Sequence, residues 1–323
     1  MANKAFWQNR VVLVTGGGGF IGSHLVKALV QLDAQVIVLD LASKLSSSIF
    51  SKSEIKKVQY VQGNISQSRD IDKIFLVNQI STVFHLAAKP LVEVGDTHPE
   101  SVFEANVMGT VHILEAVRRQ KNCSLVLAST AHVYGENQVP LLEEYFPRPS
   151  RPYETSKACA DMIAQTYAGH YSLPVAIARF VNIYGPGDTN MRLIPRTINL
   201  LMKNGSPHVY NQRIKRDFLF IDDAIQAYLD LGQAVGKARH CQSNIIYNFG
   251  SGRQHTVLQV INLIRKLMKK TEISISSMEH NRTQDVQDQY LSVEKAKRDL
   301  NWQANTPLKS GLQKTIDWYQ TNQ

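Results

Sequence analysis

The chain has 323 residues, 43% hydrophobic and 20% charged, with a net charge of +9. This composition allows a sizeable buried core and excludes a disordered tail, a collagen-like repeat and a disulfide-stapled miniprotein. No apolar run reaches the roughly 18–20 residues of a membrane helix. The basic residues are scattered rather than striped, so a small anionic ligand is expected and a nucleic acid is not.

The first ten residues carry no signal-peptide pattern. Cys123, Cys159 and Cys241 are odd in number and widely spaced, which suits a reducing compartment. A cytoplasmic protein is therefore expected. Neither the cysteines nor the histidines show metal-ligand spacing, so no metal is expected.

In chain order, short β-branched runs alternate with amphipathic stretches. The runs predict strands at Val11–Thr15, Gln35–Asp40, Val58–Gln62, Thr82–Leu86, Ser124–Ala128 and Val175–Phe180. Between them the spacing predicts helices at Ile21–Leu32, Arg69–Gln79, Pro99–Gln120 and Pro152–Tyr171. The serine- and lysine-rich Ser43–Ser53 reads as a loop or short helix. Strand–helix alternation predicts an α/β fold, a Rossmann-type doubly wound parallel sheet. After Tyr184 the rhythm breaks. Helical stretches follow at Leu193–Lys203, Asp222–Gln233, Leu258–Lys269, Val293–Leu300 and Ser310–Thr321. The expected organisation is a dinucleotide-binding domain over residues 1–184 and a smaller C-terminal α/β substrate lobe over 185–323, with the chain free to cross back.

The first strand runs into Thr15-Gly-Gly-Gly-Gly-Phe-Ile-Gly22, which opens a helix. Gly16 allows a tight turn, Gly19 lets the backbone approach a pyrophosphate, and Gly22 lets helix and strand pack closely. Phe20 and Ile21 begin the helix whose positive end would hold the phosphates. The second strand ends in Asp40, eighteen residues past Gly22. A carboxylate there accepts from ribose hydroxyls and repels a 2′-phosphate, so NAD is expected over NADP.

Tyr153 and Lys157 stand at i and i+4 on one helix face. Alone, that spacing is a common surface coincidence. As a functional pair, the ammonium would lower the phenol pKa, and the phenol would take a proton from a carbinol that gives up hydride. Ser129 and Thr130 end another strand at the carboxyl edge of the sheet, where ligands sit in such folds.

Further motifs stand in order: Gly63-Asn-Ile65, His85-Leu-Ala-Ala88, Asn106-Val-x-Gly-Thr110, Arg179-Phe-Val-Asn-Ile-Tyr-Gly-Pro186, Arg216-Asp-Phe, Asn248-Phe-Gly-Ser-Gly252, Arg282 and Leu300-Asn-Trp302. With these, nearly the whole chain resembles an extended short-chain dehydrogenase/reductase of the nucleotide-sugar epimerase/dehydratase branch. The resemblance implies Thr130, Tyr153 and Lys157 as a catalytic triad. It places Asn64, Ile65, Leu86, Ala87, Ala88 and Asn106 along the NAD path, with Asn106 supporting the lysine. It implies a nucleotide-diphosphate sugar as substrate, touched by Thr130, His132 and Asn182, with Arg216 and Arg282 clamping the diphosphate. A homodimer through the two long helices is implied as well. His85 reads as a packed strand residue.

Two departures matter. Asn64 stands where the family has Asp, and its carbonyl oxygen can still accept from adenine. Ala131 and His132 stand where 4,6-dehydratases of this branch carry acidic groups. Alanine transfers no proton. His132 has two open readings, an acid/base or a pocket wall. Gly187-Asp-Thr-Asn-Met-Arg-Leu-Ile-Pro195, with Arg192 expected to reach substrate, resembles the loop of some CDP- and GDP-sugar dehydratases. The preferred reading is a nucleotide-sugar epimerase that oxidises C4 and returns hydride from bound NADH. The alternatives are an NDP-sugar 4,6-dehydratase with His132 as acid/base, and a non-catalytic NAD-binding sensor. The intact triad argues against the sensor.

Overall fold

A computed structural model describes residues 3–45, 48–90, 92–189, 192–209, 211–212, 214–237, 245–277, 286 and 288–322. Fourteen strands are assigned among them. Those of the first half are β1 (Val11–Thr15), β2 (Gln35–Asp40), β3 (Val58–Gln62), β4 (Thr82–His85), β5 (Ser124–Thr130), β6 (Val175–Phe180) and β7 (Asn182–Tyr184). The second half adds β8 (His208–Val209), β9 (Lys215–Arg216), β10 (Phe218–Phe220), β11 (Ile246–Phe249), β12 (His255–Thr256), β13 (Ser276–Ser277) and β14 (Asp288–Gln289).

Seven strands form one parallel sheet in the order β11-β6-β5-β4-β1-β2-β3. Strands β1, β4 and β6 are buried along nearly their whole length because helices cover both sides. One core layer joins the helices Phe20–Gln31 and Ile221–Lys237 to the sheet; Leu25, Val26, Phe84 and Tyr228 lie in it. The opposite layer holds Ile113, Leu114, Ala164 and Ala168 from the helices Gly109–Arg119 and Pro152–Tyr171. Strand order reverses beside β1, and the loops at the carboxyl ends of β1, β4 and β5 open a crevice there.

Strand β11 comes from beyond residue 184, so the chain crosses back and the two expected lobes share one sheet. Small ladders lie outside this sheet: β10 with β7, β12 with β9 and β14, and β13 with β8. Asp217, fully buried, links two of the sequence motifs. Its carboxylate accepts from the amides of Ser251 and Gly252, each at 3.0 Å.

The structure differs from the sequence expectations in three places. The fifth strand runs on to Thr130 because Ser129 and Thr130 still pair with Arg179 and Phe180. The expected helix Pro99–Gln120 is interrupted: a π-helical turn at Glu104–Met108 separates Pro99–Phe103 from Gly109–Arg119. That widened turn carries Asn106, a feature recurrent at functional sites. Finally, Lys4–Trp7 forms a short helix that seals the core, with Trp7 fully buried 5.7 Å from the Phe84 ring.

Candidate active site

The site begins at the turn after β1. Gly16 has φ +73°, and a Cβ there would stand 2.8 Å from the Ala87 amide nitrogen, so only glycine lets this turn lie against the end of β4. At Gly22 a Cβ would meet the Gly16 carbonyl oxygen at 2.1 Å. Gly19 caps the helix Phe20–Gln31, leaving amides at a positive helix end. The Gly18 amide donates to Asp40 Oδ2 at 2.9 Å, so the acidic end of β2 is held against the glycine turn.

A cavity of about 580 Å³ runs across this crevice. It is lined by Gly16, Gly19, Phe20, Ile21, Gly22, Asp40, Asn64, Ile65, Leu86, Ala87 and Ala88, and also by Ala128, Arg192 and Tyr228. A cradle that side chains at Gly16 or Gly22 would fill, and a carboxylate at one end of the groove, fit an extended dinucleotide. Asn64 forms an Asx turn, its Oδ1 accepting from the Ser66 amide at 2.9 Å, and a second lone pair remains.

Asn106 is outside the cavity lining. Its Oδ1 accepts from the Lys89 amide at 2.8 Å, and its Nδ2 donates to the Lys89 carbonyl at 3.2 Å and to Ser156 Oγ at 2.9 Å. Ser156 Oγ in turn donates to the Tyr153 carbonyl at 2.7 Å. Asn106 thus ties the loop after β4 to the turn of helix that carries Tyr153. Its structural contacts are with Lys89 and Ser156 rather than with the Lys157 ammonium.

Beneath the groove, His85 is 2% exposed. Thr110 Oγ1 donates to the Asn106 carbonyl at 2.7 Å, so it receives His85 Nε2–H at 3.2 Å. Nδ1 then accepts from Thr15 Oγ1 at 2.8 Å, and Thr15 Oγ1 accepts from the Ala87 amide at 3.2 Å. Burial, with the nearby Lys157 charge, pushes the imidazole down to about 3. His85 is a neutral strut between the glycine turn and the Asn106 turn.

Thr130 ends β5, and its Oγ1 accepts from the His132 amide at 3.3 Å. Lys157, buried, donates its Nζ to the Ala128 carbonyl. Burial lowers this amine to about 8, against the opposing charge of Asp161. The expected lowering of Tyr153 by Lys157 does not appear. Burial pushes the Tyr153 phenol up to about 12, Arg192 pulls it down, and Glu154 pushes it further up. Lys157 is bound to a carbonyl and partly balanced by Asp161, so Arg192 is the cation that acts on the phenol. Arg192 is held by Asp188, with Nη2 to Oδ2 at 2.7 Å, and its guanidinium lies 5.7 Å from the Phe20 ring centroid.

Asn182 donates to the Asp217 carbonyl at 3.3 Å. Arg216 lies in β9 and donates to the carbonyls of Val286, at 2.7 Å, and Lys215, at 2.9 Å. Arg282 lies outside the described residues. Ala131 is fully buried. His132 Nδ1 stands 3.6 Å from Glu154 Oε1. Glu154 Oε2 accepts from the Ser150 amide and hydroxyl, both at 3.1 Å. Burial raises the Glu154 carboxyl, but the bonds from His132 and Ser150 outweigh it and hold the pKa below the usual value.

Four residues of this neighbourhood escaped the sequence reading. Glu154 stood unremarked inside the Tyr-x-x-x-Lys motif. Asp161 follows Lys157 by one helical turn and was visible as an i, i+4 pair. Arg179 sat in a quoted motif without a role; it is 1% exposed and doubly bonded to Asp161. Tyr228 read as one more apolar position of an amphipathic helix and carried no signal.

Residues 13–315 match the family described as GDP-mannose 4,6 dehydratase. The dTDP-D-glucose 4,6-dehydratase of Bos taurus is 31% identical, with 96% of this chain and 89% of that protein covered. Among solved structures, the Thermotoga maritima UDP-glucose 4-epimerase with UDP-glucose superposes with a TM-score of 0.86 at 26% identity, covering 96% of this chain and 99% of the other. The Bacillus anthracis dTDP-glucose 4,6-dehydratase in complex with NAD gives 0.83 at 28% identity, covering 97% of each chain. No described helix is long and apolar enough to cross a membrane. The chain belongs to the GDP-mannose 4,6-dehydratase family of extended short-chain dehydrogenases, NAD-dependent enzymes of nucleotide sugars.

Proposed function

We propose that the protein is a nucleotide-sugar 4-epimerase. The observation that carries this reading is the segment after Thr130: Ala131 is apolar and fully buried, and the His132 imidazole is turned toward Glu154. Ala131 carries no proton-transfer group, so the acid/base pair that loss of water across C5–C6 uses is incomplete. C4 epimerisation needs no such pair.

Bound NAD supplies a reversible hydride acceptor at C4. Thr130 Oγ1 holds the C4 oxygen, and Tyr153 takes the C4 hydroxyl proton and gives it back. A buried phenol with a pKa near 12 is suited to the return step. Arg192 eases the forward step by favouring phenolate. Arg216 and Arg282 grip the diphosphate, which leaves the sugar free to turn over. Asn182 touches the sugar nucleotide. Cytoplasmic residence and a homodimer belong to this reading; Met108 and Met162, 46% and 56% exposed near or on the two long helices, support the dimer, and sedimentation velocity tests it.

The dehydratase is a second reading, favoured by the same His132–Glu154 pair. A carboxylate 3.6 Å from Nδ1 orients the ring and leaves Nε2 for proton transfer. Incubation with UDP-, GDP-, CDP- and dTDP-sugars without added coenzyme, followed by NMR of the products, decides between them. Inversion at C4 is the expected result. A 4-keto-6-deoxy sugar overturns it in favour of the dehydratase, and His132→Gln then abolishes water loss. No change with any sugar removes the nucleotide-sugar assignment.

A further inference from the structure

The cofactor cavity has two chemically distinct ends. Asp40 and Asn64 mark one; Ala128, Arg192 and Tyr228 mark the other, beside Tyr153. A dinucleotide whose ribose meets Asp40 extends its nicotinamide toward the second end. The only uncharged hydrogen-bonding group on that ring is its carboxamide.

Tyr228 belongs to the helix Ile221–Lys237, on the opposite side of the sheet from the helix of Tyr153. It is 1% exposed, yet it lines the cavity. Its ring is fixed between Phe180, with centroids 4.7 Å apart, and Phe84, edge-on at 6.2 Å. Among the described residues its hydroxyl has no hydrogen-bond partner. A phenylalanine would fill the same aromatic slot without offering a hydrogen-bonding group to the cavity. Tyr153 is also near enough to oppose ionisation of this phenol, after the larger effect of burial.

We infer that the Tyr228 hydroxyl binds the nicotinamide carboxamide and sets the orientation of the ring against Tyr153. Burial pushes the phenol far above its ordinary range, so it stays neutral and keeps its proton to donate to the carboxamide oxygen. Its oxygen can accept from the carboxamide NH₂ in the other rotamer. Because the ring is clamped by Phe180 and Phe84, the hydroxyl meets the carboxamide at a fixed place. Tyr228 is a positioning residue for the cofactor, and the inference holds whether the sugar leaves as an epimer or as a dehydrated product.

The test is calorimetric titration of the full-length protein and its Tyr228→Phe variant with NAD and with ADP-ribose, which lacks the nicotinamide ring. Thermal melting of both proteins checks that the substitution keeps the fold. Expected is roughly five- to tenfold weaker NAD binding by Tyr228→Phe, with ADP-ribose binding unchanged. The decisive quantity is the ratio of the two affinities. A ratio equal to that of the parent protein, whether both ligands weaken together or neither does, overturns the inference.

Discussion

Arg179 and Asp161 meet in the interior through two parallel hydrogen bonds, Nε to Oδ2 and Nη2 to Oδ1, both 2.9 Å long. Neither side chain exceeds 1% exposure. Asp161 also accepts from Ser129 Oγ at 2.8 Å and partly balances Lys157. One carboxylate thus secures the strand that ends in Thr130 and the helix that bears Tyr153.

Removing only Arg179 leaves a buried, uncompensated carboxylate. Arg179→Met is expected to destabilise the protein by about 3–5 kcal/mol. Arg179→Met combined with Asp161→Leu is expected to recover part of that loss. Urea unfolding midpoints of the two proteins measure the difference; equal stabilities would contradict the account.

His85 makes the fold sensitive to acid. Its folded pKa is about 3, below the ordinary imidazole value of 6.5. Between those values the unfolded chain binds a proton that the folded chain refuses, so stability is lost as pH falls from 6.5 toward 3. The slope from this group approaches about 1.4 kcal/mol per pH unit. A His85→Gln protein is expected to be less stable at neutral pH but to show a shallower decline over that window, read by denaturant titration at successive pH values.

Asp40 is bonded to the glycine turn, and its charge is expected to exclude a 2′-phosphate. Asp40→Ser is expected to weaken NAD binding by roughly tenfold, through loss of charge-assisted bonds, and to relieve the discrimination against NADP. Competitive binding of the two coenzymes reports this. A variant that still rejects NADP as strongly as the parent would move the discrimination elsewhere in the groove.

Asn106→Ala removes three hydrogen bonds at once and leaves the Lys89 amide without its acceptor. A stability loss of about 1–3 kcal/mol is expected. Turnover should fall further than the affinity for NAD, because the loosened turn carries Tyr153. Thermal melting, single-turnover kinetics and NAD titration separate these effects.

Strands were legible because a parallel sheet covered on both faces writes itself as mostly apolar runs such as Val11–Thr15 and Val175–Phe180, the latter broken by Arg179 alone. The cofactor groove was legible because glycines at three-residue spacing have few other uses. The electrostatics around Tyr153 were not. Sequence spacing shows that Lys157 shares a helix face with Tyr153, but not that its ammonium binds the Ala128 carbonyl. Nor does spacing bring Arg192, in a distant loop, close enough to act on the phenol. The π-helical turn around Asn106 was hidden for a related reason: its pattern of apolar residues is that of an ordinary helix, and the extra width shows only in the backbone, where the Gly109 amide donates to the Glu104 carbonyl.

The crossing-back of β11 also governs how the chain is assembled. Strand β6 has one flank against β5, and among the described residues its other flank is closed by residues 245–249. During synthesis, a polypeptide that has emerged through Tyr184 already holds the glycine turn, Thr130, Tyr153 and Lys157, yet exposes the ladder groups of a strand that is buried throughout in the finished fold. Such an edge templates pairing between chains. Stalled or C-terminally truncated products should therefore aggregate through β6, and competence for NAD arrives late, when most of the polypeptide has left the ribosome.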